Sequence, residues 1–202
     1  MSRITYWAFA ILSLLIALSS LRGLIAPLPL VMPNMAHFLD SAPWRLWGHI
    51  LGGPLALALA PLQLSGRLRQ HWPRLHRYAG RVYGAAVLVA GVAGMTLAPT
   101  SEASNFARVG FGVLGALWLL TTIKGIQLAM RGDLARHRWW MERSIALTFA
   151  AVTLRLIMAP LMASGWSVAQ TYDITAWGSW ILNLALLELW QRKRKTAPEG
   201  AV

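Results

Sequence analysis

The chain contains no cysteine. Disulfides, cysteine-ligated zinc and iron–sulfur clusters are therefore excluded. Acidic residues are scarce: 7 Asp and Glu stand against 19 Lys and Arg, and only 13% of the chain is charged. No pair of carboxylates falls within an apolar run. The HExxH, P-loop, GxSxG and Rossmann patterns are also missing. Hydrolase, ATPase and zinc-protease chemistries have little to stand on.

What is present is hydrophobic. Of 202 residues, 56% are apolar, more than an ordinary soluble domain carries. Six stretches approach the roughly 20 apolar residues that a bilayer crossing needs. They are Ile4–Ile25, Trp44–Leu64, Arg81–Ala98, Arg108–Met130, Arg143–Met162 and Thr175–Trp190. The third and fifth are expected to begin earlier, at His-Arg triplets. The first could pass for a signal peptide. Its run exceeds a typical signal core, and Pro27, Pro29 and Pro33 follow without a small-x-small site, so it is expected to stay as a helix. The expectation is an all-α polytopic membrane protein: one transmembrane domain over 1–191 and a basic, disordered tail over 192–202.

The net charge of +12 would suggest nucleic acid in a soluble protein. The positions of the charges argue otherwise. Arg67, Arg69, Arg74, Arg77 and Arg81 lie between or beside the second and third runs. Lys124, Arg131, Arg136, Arg138 and Arg143 lie between or beside the fourth and fifth. Arg192, Lys193, Arg194 and Lys195 follow the sixth. With six crossings, these clusters and Arg3 share one side, which predicts that side to be cytoplasmic. Both termini are then expected on the cytoplasmic side of a bacterial inner membrane. The expected partners are the bilayer and its anionic headgroups rather than nucleic acid.

One phrase occurs twice. Gln63-Leu64, Arg67, His76-Arg77-Tyr78 and Arg81 are echoed by Gln127-Leu128, Arg131, His137-Arg138-Trp139 and Arg143. The repetition predicts two hairpins, helices two–three and four–five, related by a pseudo-two-fold axis along the membrane normal. They would form a four-helix core with helices one and six at its edge. Gln63 and Gln127 are expected to be inward-facing hydrogen-bonding pairs.

His76 and His137 would then face each other at similar depth. Two imidazoles so placed can ligate a haem iron from both sides. Gly80, one turn after His76, would leave space for a porphyrin edge. Met141 holds the same relative place after His137. Arg77, Arg81, Arg138 and Arg143 could pair with propionates. The plainer interpretation is an interfacial His-Arg pair, with arginines reaching headgroups. His49 and Arg155 suggest a second site. A charged Arg deep in an apolar run normally faces the bundle interior or a wet cavity. Asp40, Asp173 or a bound anionic ligand are its candidate partners. Gly52, Gly53 and Pro54 follow His49, as where a ligand approaches a helix closely. A polar pocket for a quinone or lipid headgroup is the reading of this pair. Glu188 is expected to meet an interfacial Arg, and Glu142 to pair with Arg138 at helical spacing.

His49-x2-Gly52-Gly53, Ala60-Pro61-Leu62-Gln63, His76-Arg77-x2-Gly80-Arg81-x-Tyr83 and His137-x2-Trp140-Met141-x-Arg143 together resemble one family. It is domain-of-unknown-function family 2306, predicted multi-pass membrane proteins, and the likeness covers about Trp44 to Pro160. Ala146–Ala150 and Arg155 fit it too. The resemblance implies a membrane fold and no activity. The layout of intramembrane histidines is similar in spirit to transmembrane cytochromes b, an analogy that does not carry function.

The expectation from the residues is a haem b-binding, cytochrome b-like electron-transfer protein, with His76 and His137 as iron ligands. The alternative is a cofactor-free scaffold, or a lipid- or quinone-binding subunit of a larger membrane complex. A transporter ranks third, for want of an ion-coupling carboxylate. Nothing in the sequence assigns an enzyme activity.

Overall fold

A computed structural model describes residues 2–196. All regular structure in this range is helical. The helices are α1 (Arg3–Ser20), α2 (Leu28–Val31), α3 (Phe38–Ser41), α4 (Pro43–Leu64), α5 (Gly66–His71), α6 (Pro73–Leu97), α7 (Asn105–Met130), α8 (Leu134–Thr148), α9 (Ala150–Ala163) and α10 (Val168–Thr196). Short 3-10 turns occur at Arg22–Leu24, Pro33–Met35 and Ala98–Thr100.

Local chemistry marks the helix starts. Ser2, Ser65, Ser104 and Asp133 each accept a backbone N–H two or three residues into the helix they precede. Pro43 and Pro73 occupy first helical positions, where the missing N–H costs nothing. α7 turns into α8 through Gly132 at φ 76°, a conformation that favours glycine. α6 and α8 begin earlier than the apolar runs, as expected, and start three residues before the His-Arg triplets. α8 and α9 break only at Phe149, where the Thr148 hydroxyl donates back to the Ser144 carbonyl at 2.9 Å. Such back-bonding loosens the local helical ladder.

Among the described residues four segments are long and apolar enough to cross a membrane: Arg3–Leu24, Pro73–Thr100, Asn105–Met130 and the bent Leu134–Ala163. The exterior is rich in large apolar side chains such as Leu14, Leu18, Val89, Leu120 and Leu186. The interior carries hydroxyls: Ser13, Thr122, Ser144, Thr171, Thr175 and Ser179 are fully buried. Apolar outside and hydroxyl-bearing inside is the arrangement a hydrocarbon solvent selects.

α4 packs most extensively on α6, and α7 on α8. α6 and α7 join these two pairs, α1 lies on α4, and α10 lies on α7, α8 and α9. Small residues permit the close approach of α4 to α6. A side chain at Gly52 would meet the Ala86 carbonyl and the Ala90 methyl, each 3.0 Å from its Cβ. α2 and α3 fold over one end of the bundle, where Leu28, Phe38, Leu46, Ile50 and Leu97 form a cluster. The opposite end carries α5 and the α7–α8 turn, and is the basic end. α10 continues through Arg192 to Thr196, so the start of the expected tail is helical; residues 197–202 lie outside the described range.

Candidate functional site

Beneath the α2–α3 cap lies a cavity of about 310 Å³, walled by α4, α6, α7 and α9. That is the lower end of the roughly 300–1,000 Å³ typical of small-molecule sites. His49 from α4 and Arg155 from α9 both line it, with Tyr172 from α10 and Ser20 from α1. Most of the remaining wall is apolar, including Phe38, Leu57, Leu97, Phe111, Leu114 and Leu154.

The position of His49 follows from two features. Its Nδ1 lies 3.1 Å from the Ala90 carbonyl of α6. A carbonyl only accepts, so Nδ1 carries the proton and Nε2 keeps the lone pair. Gly94 makes room for the ring, since a Cβ there would stand 2.8 Å from Nδ1. Gly53, one turn after His49, faces open space: a Cβ there would meet nothing within 4 Å. Pro54 has no N–H to offer the Ile50 carbonyl, and both residues line the cavity.

Arg155 donates from Nη1 to the Ala151 carbonyl and from Nη2 to the Ser20 hydroxyl, each at 2.9 Å. Among the described residues it forms no ion pair. Asp173 instead accepts from the Ser104 hydroxyl, and Asp40 is exposed. Arg22 is near enough to Arg155 to act on it as a second cation.

A second polar centre reaches the cavity from the bundle core. The Tyr83 hydroxyl of α6 lies 2.7 Å from both the Ser144 and Thr148 hydroxyls of α8. Thr122 of α7 lies 2.7 Å from Ser144, and the Trp118 indole N–H donates to Thr148 at 2.9 Å. Trp118 and Thr148 also line the cavity. This five-residue network was not anticipated. Its only trace in the sequence is Ser144 and Thr148 at i, i+4 within an apolar run.

The histidines of the repeated phrase lie toward the basic end. His76 and His137 are near enough to interact electrostatically, and neither lines the cavity. His137 Nδ1 donates to the Gly125 carbonyl at 2.8 Å, leaving Nε2 as the unprotonated nitrogen. His76 Nδ1 and Gln63 Nε2 are buried without a hydrogen-bond partner among the described residues. The space beside Gly80 holds the Gln63 carboxamide, with Oε1 3.0 Å from the position of a Cβ. Met141 packs its sulfur against Gly125. Gln63 is thus inward, as expected, but with its Nε2 unpartnered among the described residues, and Gln127 is exposed, so the expected hydrogen-bonding pair does not form.

The four arginines of the phrase differ. Arg77 and Arg81 are exposed. Arg138 pairs with Glu142 at 3.0 Å, one helical turn on. Arg143 is buried, bonds to Glu188, to Gln191 at 3.0 Å and to the Trp139 carbonyl at 2.9 Å, and lies over the Trp139 ring. It ties α8 to α10. Among the described residues no group of three or more His, Asp or Glu could hold a metal ion.

Neither a curated protein nor a solved structure matches the chain. The family model described as predicted membrane protein (DUF2306) matches residues 46–191, a span that includes His49, Gln63, His76, Tyr83, His137, Arg143 and Arg155. The chain belongs to that family, DUF2306.

Proposed function

We propose that this integral membrane protein binds an amphiphilic small molecule, of the quinone or lipid class, in the cavity between His49 and Arg155. One observation carries the proposal: a guanidinium and an imidazole from different helices line one otherwise largely apolar cavity. Polar residues at this depth in a membrane helix are costly and mark ligand or substrate sites. In our reading α4 and α10 also cross the bilayer, giving six crossings with both termini on the cytoplasmic side. The basic end then faces the cytoplasm and the capped end faces outward. The α4–α6 and α7–α8 pairings are the two hairpins of a pseudo-two-fold core, a correspondence of helix pairing more than of side chains.

Gly53→Leu fills the cavity without a close contact at its Cβ. Organic extraction of purified protein, followed by mass spectrometry, is expected to yield one amphiphile in stoichiometric amount from the wild type. The Gly53→Leu protein should yield little. Equal yields from both, or none from the wild type, contradict the proposal.

A second reading rests on the histidine pair. His76 and His137 are near enough to interact electrostatically, one nitrogen of His137 is left to ligate, and His76 Nδ1 and Gln63 Nε2 are buried without a partner among the described residues. Buried polar groups without partners call for one. In this reading His76 and His137 hold haem b, which supplies a one-electron centre when bound, and the protein passes electrons between membrane partners, with quinone as one of them. Gly80, beside which the Gln63 carboxamide lies, and Met141 would border the group, and Arg77 and Arg81 are the exposed arginines left to meet its carboxylates. A reduced-minus-oxidised b-type spectrum, lost in His76→Ala and His137→Ala, is the expected result. A colourless, folded preparation from haem-replete cells contradicts it.

A further inference from the structure

We infer that the ligand of the His49–Arg155 cavity carries an anionic oxyacid head, a carboxylate or a phosphate, held by Arg155. This deepens the cavity reading above and rests on it. A guanidinium is always charged at accessible pH and has no acceptor of its own. Inside a membrane bundle it needs a counter-charge, because solvation by neutral groups alone leaves it costly. Among the described residues Arg155 has only neutral acceptors, the Ala151 carbonyl and the Ser20 hydroxyl. These bonds use one N–H of each terminal nitrogen, so the others remain for a ligand.

The electrostatics of the surroundings sharpen the need. Arg22, two residues beyond Ser20, acts on Arg155 as a second cation. Its own donors go to the Val31 carbonyl at 2.8 Å and the Ser19 carbonyl at 3.1 Å, again neutral. Arg22 is exposed and does not line the cavity, so Arg155 is the guanidinium that faces it, and among the described residues neither arginine has a carboxylate in ion-pair range. An anion on Arg155 offsets the repulsion from Arg22. A neutral quinone carbonyl would satisfy donors but not the charge. The apolar walls formed by Phe38, Leu57, Phe111 and Leu114 suit an alkyl tail.

The test is equilibrium binding of radiolabelled dodecyl phosphate, laurate, dodecanol and inorganic phosphate to the purified full chain. Dodecyl phosphate, laurate or both are expected to bind at least tenfold more tightly than dodecanol. Arg155→Gln should reduce them to the dodecanol level, and Arg155→Lys should recover part of the loss. Weak inorganic phosphate binding assigns the site to an acidic lipid. Binding as tight as that of dodecyl phosphate assigns it to a free anion, which keeps the role of Arg155 and removes that of the tail. Dodecanol binding as tightly as the anions overturns the anionic head while leaving the cavity reading intact. Binding of no probe, with none extracted from the wild type, overturns both. Should Arg155→Gln fail to fold, the comparison of charged and neutral probes on the wild type still decides.

Discussion

Gly94 and His49 share one volume: a Cβ at Gly94 would stand 2.8 Å from His49 Nδ1 and 3.0 Å from Cε1. The absence of a side chain on α6 is what lets an imidazole from α4 lie across the helix and donate to Ala90. Gly94→Ala is therefore expected to displace His49, break that bond and strain the α4–α6 contact. Overpacking of this kind costs about 1–3 kcal/mol. Thermal unfolding in detergent should show a lowered midpoint, and ligand binding in the cavity should weaken with it. A wild-type midpoint with intact binding would mean that the ring is not held there.

Tyr83 is the hub of the buried hydroxyl network, and its ring fills the centre of the bundle. The two contributions separate cleanly. Tyr83→Phe keeps the ring and leaves Ser144, Thr148 and Thr122 to pair among themselves, so a loss of about 0.6 kcal/mol is expected. Tyr83→Ala removes the ring and should cost about 3–5 kcal/mol. Chemical unfolding of both variants checks the ratio; equal losses would place the stability in the hydroxyl rather than in the packing.

Two of the acid–arginine pairs at the basic end, Arg138–Glu142 and Arg143–Glu188, should behave differently. Arg138–Glu142 is one turn long with an exposed arginine, and Arg138→Ala should change stability by no more than about 0.5 kcal/mol. Arg143 is buried and joins α8 to Glu188 and Gln191 of α10. Arg143→Ala also removes the stacking on Trp139, and a loss of about 2 kcal/mol is expected, below the full cost of a wholly buried pair because Glu188 can rehydrate. Unfolding of the two variants side by side is the comparison; a larger effect at Arg138 would contradict the assignment.

Because the native chain has no cysteine, single cysteines report topology directly. Ser164 lies in the turn after α9 and Gln70 lies on α5, both exposed. A membrane-impermeant maleimide should label Ser164→Cys in intact cells and Gln70→Cys only after permeabilisation. The reverse pattern would invert the orientation, and labelling of both in intact cells would break the crossing count.

The helices were legible because apolar runs, initiating prolines and basic clusters all punctuate the chain at the same places. Pro43 and Pro73 start α4 and α6, and the α7–α8 turn falls among basic residues at Gly132. His49 and Arg155 could be singled out because ionisable residues within apolar runs demand an explanation. The Tyr83 network was not legible: its hydroxyls come from three helices, and only their packing brings them together. The differing fates of Gln63 and Gln127 were also hidden. The first copy inserts the short helix α5 between Gln63 and His76, whereas the second makes a tight turn at Gly132. The glutamines thus meet the following helix in different registers, and Gln63 finds Gly80 while Gln127 faces outward. Arg143 resembled its counterpart Arg81 in sequence, yet only Arg143 meets α10 and becomes buried.

The most direct test of the central claim is a structure of the full chain in a lipid nanodisc containing dodecyl phosphate. The account predicts density between α4 and α9, with the phosphate within hydrogen-bonding distance of Arg155 and the alkyl chain against Phe111 and Leu114. A cavity holding only water, or dodecyl phosphate bound elsewhere on the bundle with Arg155 uninvolved, would contradict it.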